Sequence, residues 1–113
     1  MKNNFQHKEL AAGRWGKFSF FEQMANVGSE VGRAINWRNK GDKEYSRLAI
    51  ERGLELLDLT IDDRKNQKKL RELLRLREVL ADYFYSNNTF SSSDSLWQSY
   101  FSPFNFAARI NLK

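Results

Sequence analysis

Arg77 is the residue whose position in the sequence most suggests chemistry. It lies in LRLREVLADYFYS, residues 74–86, where apolar residues recur at helical spacing. At about 100° per residue, six apolar side chains of this helix project within about 60° of Arg77. They are Leu70, Leu73, Leu74, Leu80, Ala81 and Phe84. Because an unpaired buried guanidinium is strongly unfavourable, we expect Arg77 to meet a buried carboxylate or carbonyls, or to face a cleft or a subunit interface.

Basic residues are concentrated just before Arg77 and could bind phosphates. The candidate nucleic-acid-binding residues are Lys65, Lys68, Lys69, Arg71 and Arg75. Lys68, Arg71 and Arg75 share one helical face, and the formal net charge of +5 is compatible with an acidic partner. Acidic residues interleave with the basic ones, so an ordinary solvated helix is the alternative. The pattern does not separate RNA from DNA.

Aromatic residues crowd the last segment of the chain. Together with Arg77 they give the candidate interface residues, which are Arg77, Trp97, Tyr100, Phe101 and Phe104. Surplus apolar surface of this kind is typical of protein–protein contacts. The first function that we predict is therefore a non-enzymatic interaction or regulatory module, dimeric or bound to a protein partner. A second group, Arg14, Trp15, Lys17 and Phe18, could stack bases or dock its Trp into the core.

The stretch LREVLADYF resembles the signature helix of the HEPN superfamily, small four-helix-bundle proteins that include ribonuclease toxins and nucleotidyltransferase partners. That motif has an arginine, a polar residue next to it, and a histidine five positions after the arginine. Arg77 matches the arginine and Glu78 the polar residue, while Asp82 stands in place of the histidine. The resemblance implies RNA binding or metal-independent RNA cleavage by Arg77 and Asp82. Because an aspartate near pKa 4 is poorly suited to proton transfer at neutral pH, it implies a catalytically silent relative.

The chain as a whole also resembles short bacterial helical-bundle proteins with no assigned function. The segments that carry this resemblance are GRWGKFSFFEQMANVGSEVGRAINW and FNFAARIN. This second resemblance implies no chemistry.

Other catalytic and metal-binding patterns are missing from the sequence. There is no Cys, and the only His is His7 near the N-terminus, so no thiolate site and no His-based metal site is predicted. We predict neither a cofactor nor a metal, and the sequence leans against an enzyme without excluding one. The lack of Cys, of a signal-peptide pattern and of any long apolar run predicts a soluble cytoplasmic protein.

The elements that must position these residues are all helical. The 113 residues predict one domain, an all-α four-helix up-and-down bundle, with helices over about 20–39, 43–60, 64–86 and 95–111 after an irregular lead-in at 1–18. Ser19 and Glu22 form a predicted capping box, Gly41 and Asp42 a helix stop and restart, and Asp94 or Ser95 the last cap. Pro103 predicts a kink or a break in the last helix.

Two glycines on the first helix predict a close helix crossing. Gly28 and Gly32 lie one turn apart on the apolar face, and each lowers helix propensity by about 1 kcal/mol relative to Ala. The expected partner is the second helix, where Ala49 and Gly53 have the same spacing.

Overall fold

A computed structural model describes residues 13–110, which form four α-helices and two short 3-10 helices and contain no strand. The α-helices are α1 (Phe20–Asn39), α2 (Lys43–Asp62), α3 (Leu70–Tyr85) and α4 (Asp94–Ile110), and the 3-10 helices are η1 (Arg14–Lys17) and η2 (Arg64–Lys69). The all-α class is confirmed, and the up-and-down order stays a prediction. Residues 1–12, with His7, and residues 111–113, with the predicted end of the last helix, lie outside the described range.

Side-chain caps are present at the N-termini of α1, α2 and α4, mostly where the sequence predicts them, whereas α3 has none. The Glu22 amide donates to Ser19 Oγ at 3.1 Å and the Ser19 amide donates to Glu22 Oε1 at 2.8 Å, which confirms the capping box. Asp42 caps α2 by accepting from the Tyr45 amide. The cap of α4 is Ser93 rather than the predicted Asp94 or Ser95, because the Leu96 amide donates to Ser93 Oγ. α4 continues through Pro103 without a break, and the kink stays a prediction.

The third helix begins later than predicted. Residues 64–69 form η2, and the α-helix starts at Leu70. The buried Asn66 side chain explains the difference, because its amide nitrogen donates to both Thr60 O and Gln23 Oε1 at 2.9 Å. These bonds hold the turn against α1 and α2, and the α-helix therefore begins only after it, at Leu70.

The N-terminal 3-10 helix is attached to the same polar cluster. Trp15 is buried, its indole Nε1 donates to Thr60 Oγ1 at 3.0 Å, and its carbonyl accepts from Gln23 Nε2. Trp15 therefore docks into the core, as the second of the two alternatives predicted, and its ring is not available to stack bases.

The core is centred on α1, which packs along both α2 and α4. Gly28 permits the contact with α4, because a Cβ built there would lie 2.7 Å from the Phe101 ring. Gly53 of α2 faces α1, because a Cβ built at Gly53 would lie 3.3 Å from Glu30 Cβ. A Cβ built at Gly32 would have nothing within 4 Å. The predicted crossing is thus corrected: the glycine that a close approach requires on α1 faces α4, not α2.

The helix that carries Arg77 is rotated relative to the expectation. Its buried apolar side chains are Leu73, Leu76 and Leu80, while Leu74 is half exposed. The centre of this buried face lies about 65° from Arg77 around the helix. Arg77 is therefore at the edge of the apolar face rather than at its centre. At the edge its guanidinium keeps part of its hydration.

None of the helices within residues 13–110 combines the length and the apolar character that crossing a membrane requires.

Candidate functional site

Arg77 pairs with an acidic residue of the neighbouring helix. Its Nε donates to Asp58 Oδ1 at 2.6 Å and its Nη2 donates to Asp58 Oδ2 at 3.2 Å. These hydrogen bonds raise the pKa of Arg77 against the opposing effect of its partial burial. The two side chains are 39% and 45% exposed, so the carboxylate partner that the sequence predicted exists but is not buried. Arg77 links α3 to α2 and does not line a cleft of its own.

Asp82, at the position of the histidine in the HEPN motif, holds the loop between α3 and α4. Its side chain is buried, and its Oδ2 accepts from the Phe90 amide at 3.1 Å. Burial raises the pKa of Asp82, but hydrogen bonds from Thr89 and Phe90 outweigh it and leave this pKa below its usual value. Since Arg77 reaches α2 and Asp82 reaches the loop, the structure does not bring the two candidate catalytic residues together at one site.

The surplus positive charge of the protein lies on one segment. Residues 64–75 hold six Lys and Arg and one Glu, a formal charge of +5, which equals that of the whole chain. All six basic side chains are exposed. We call five of them the basic face, which consists of Arg64, Lys68, Lys69, Arg71 and Arg75. The rest of the chain is neutral overall, so the net positive charge that attracts an anion at long range comes from this segment.

Three members of the basic face have no polar partner in the part of the chain that the structure describes. Arg64, Lys68 and Arg71 form no hydrogen bond or ion pair with any of residues 13–110. Lys65, a predicted binding residue, differs from them because its Nζ donates to Asp63 Oδ2 at 2.6 Å and to Gly16 O at 3.2 Å. Lys65 therefore fastens η1 to the start of η2, and we leave it out of the basic face.

The other two members lie over aromatic rings. Lys69 Nζ is 5.1 Å from the centroid of Phe20, and the Arg75 guanidinium is 4.8 Å from the centroid of Phe90. Phe90 is 39% exposed and is held in place by Asp82 through its backbone amide. The basic face thus combines exposed cations with a partly exposed ring, which are the two kinds of group that bind phosphates and bases.

The predicted interface residues of α4 separate into two sets. Trp97 and Phe101 are buried in the protein's own core, where their rings stack at 6.3 Å, so they offer no surface to a partner. Phe104 is partly buried against Phe20. Tyr100 is 41% exposed; burial, with a smaller effect of Glu72, raises its pKa.

A polar cluster that the sequence reasoning missed joins three helix ends. Asp94 Oδ1 accepts from the Tyr83 hydroxyl at 2.5 Å and from Arg38 Nη2 at 3.3 Å, and Asn39 Nδ2 donates to its Oδ2. The Arg38 guanidinium lies within 5 Å of the Tyr83 and Phe84 ring centroids. Burial raises the pKa of Asp94, but these hydrogen bonds and the charge of Arg38 bring it below the usual value. Only the position of Asp94 near a helix start was visible in the sequence, and it suggested a cap.

Within residues 13–110 no group of three or more acidic or His side chains is arranged to hold a metal ion. Comparison with known proteins gave no match to a family model, to a curated protein or to a solved structure.

Proposed function

We propose that the protein is a non-enzymatic interaction module whose partner is a nucleic acid, bound through the basic face. The observation that carries this proposal is the location of the charge, since residues 64–75 account for the whole formal charge of +5. Lys and Arg side chains that neutralise phosphates release counterions, and this release drives binding without regard to base sequence. Three cations of the face have no partner among the described residues and can make such contacts without first breaking an ion pair.

Phe90 adds a second kind of contact to the proposal. A partly exposed ring beside a guanidinium can stack on an unpaired base, which favours a single strand over a duplex. Asp82 supports this role because it accepts a hydrogen bond from the Phe90 amide and so holds the backbone of the residue whose ring lies beside Arg75.

The alternative of an RNA-cleaving, HEPN-like protein would need Arg77 and Asp82 at one site. Instead, Arg77 is bound to Asp58 of α2, and Asp82 accepts from the backbone of the loop that follows α3. The resemblance stays a prediction, and the contacts of these two residues favour binding over cleavage.

The test is a charge reversal on the basic face with a matched control. Lys68→Glu with Arg71→Glu, and Lys40→Glu with Lys43→Glu, each replace two cations by two anions and so lower the formal net charge from +5 to +1. All four side chains are exposed. The control pair lies where α1 ends and α2 begins, and the length of α2, about 30 Å, separates Lys43 from the start of η2.

Binding is measured by fluorescence anisotropy with a short single-stranded RNA, the same strand as DNA, and a duplex. The basic-face variant should bind the single strands about tenfold more weakly or worse, while the control variant and Arg77→Ala should stay close to the wild type. Equal losses in both charge-reversal variants would show that net charge alone is responsible and would contradict the proposal. Cleavage of the RNA that Arg77→Ala abolishes would favour the HEPN-like alternative instead.

A further inference from the structure

α4 is apolar on two sides, and the other helices within residues 13–110 bury only one of them. Trp97, Phe101 and Ala108 are buried on the inner side. On the other side lies a second series, which we call the outer stripe and which consists of Leu96, Tyr100, Pro103, Ala107 and Ile110. Its spacing of four and three residues in alternation is that of a helix that packs on another helix.

The outer stripe is exposed and continuous with further apolar surface. Leu96, Tyr100 and Ile110 are 58%, 41% and 51% exposed. Phe21, which is 41% exposed, widens the surface onto α1, because its ring centroid is 6.3 Å from that of Phe104. Single exposed apolar residues are common on monomers, but a contiguous patch of this kind marks an interaction site.

The charge of this surface indicates which partner it fits. Residues 95–108 contain no Asp, Glu, Lys or Arg, although 29% of the chain is charged. A two-fold contact places a surface against itself, so any charge near its centre would meet a like charge. An uncharged stripe avoids that repulsion, whereas the basic face could not form such a contact.

We infer that the outer stripe binds the same stripe of a second copy of this chain, so that α4 packs on α4 across a two-fold axis. An antiparallel arrangement of the two helices also places their dipoles in opposite directions, which is the favourable orientation. The contact replaces the interface that the sequence predicted, since it uses Tyr100 but not Arg77, Trp97 or Phe101. The inference does not rest on the proposed nucleic-acid binding, because the two surfaces share no residue.

Two leucine substitutions with similar exposure provide the test. Leu96→Glu puts a carboxylate on the outer stripe, and Leu74→Glu puts the same group at a leucine that is 50% exposed on α3. Sedimentation equilibrium should show a dimer for the wild type and for Leu74→Glu. For Leu96→Glu the dissociation constant of the dimer should rise about tenfold or more. Ile110→Glu, at the other end of the stripe, should act like Leu96→Glu.

Circular dichroism and thermal melting separate dissociation from misfolding, since both leucine side chains are largely outside the core and their variants should keep the helical spectrum. A wild-type protein that stays monomeric at millimolar concentration would overturn the inference. A dimer that survives both Leu96→Glu and Ile110→Glu, or that Leu74→Glu dissociates equally well, would overturn it too.

Discussion

At the scale of single residues, Arg77 shows how an arginine can lie beside an apolar helix face without a catalytic role. Its two hydrogen bonds to Asp58 satisfy the guanidinium, and its remaining exposure limits the desolvation that a buried pair would suffer. Half-exposed pairs contribute little to stability, typically below about 1 kcal/mol. The pair is better understood as a surface link between α3 and α2 that satisfies the guanidinium.

Asp94 makes the clearest prediction about pH. The pKa of its carboxyl is lower in the folded protein than usual, so its contribution to stability is complete above the ordinary value of about 4 and is lost as the pH falls through the lower folded value. Asp94→Asn has no such titration. Urea unfolding at neutral pH and at several acidic values should therefore show that the wild type loses more unfolding free energy on acidification than Asp94→Asn does. Parallel losses would contradict the assigned role of the Asp94 carboxylate.

At the scale of helices, the two glycines of α1 are expected to respond in opposite ways to the same substitution. Gly32→Ala should stabilise the protein by up to about 1 kcal/mol through helix propensity, since nothing lies within 4 Å of the added Cβ. Gly28→Ala should destabilise it by about 1–3 kcal/mol, because the Cβ would lie 2.7 Å from the Phe101 ring.

Thermal melting of both glycine variants measures the difference, and each serves as the control for the other. A stabilised Gly28→Ala variant would show that α4 can move away from α1 at little cost, and the close packing of these helices would then be wrong.

The helices also show what could be predicted from the sequence and what could not. Caps such as Ser19 and Asp42 depend on neighbours three residues away, so their positions were predictable. The start of α3 depends on Asn66 reaching Gln23, which is 43 residues distant. No local pattern contains that contact. For the same reason, spacing predicted the glycine-mediated approach of helices but not which helix Gly28 faces.

The candidate site was predictable only where it depends on residues that are neighbours in the sequence. The basic residues are contiguous in the sequence, and four of the five members of the basic face were among the predicted binding residues; Arg64 was not. The fastening role of Lys65 and the placement of Phe90 under Arg75 both require contacts across the fold. The aromatic residues of α4 were predicted as one interface, but the helix buries Trp97 and Phe101 on one side and exposes Leu96 and Ile110 on the other.

At the scale of the whole molecule, the net positive charge and the outer stripe belong to different segments of the chain. The formal charge of +5 lies on η2 and the first half of α3, while residues 95–108 of α4 carry no charge at all. A dimer formed through the outer stripe would carry two basic faces, and a nucleic acid long enough to reach both would bind more tightly than one that reaches a single face.

The most direct test of the central claim is the salt dependence of binding to a short single-stranded RNA. If the cations of the basic face displace counterions from phosphates, the logarithm of the binding constant should fall linearly with the logarithm of salt concentration, with a slope of about −2 to −4. Lys68→Glu with Arg71→Glu should reduce that slope by about one unit or more, and Lys40→Glu with Lys43→Glu should leave it unchanged. A wild-type affinity that does not depend on salt, or a slope that both variants reduce equally, would contradict the account.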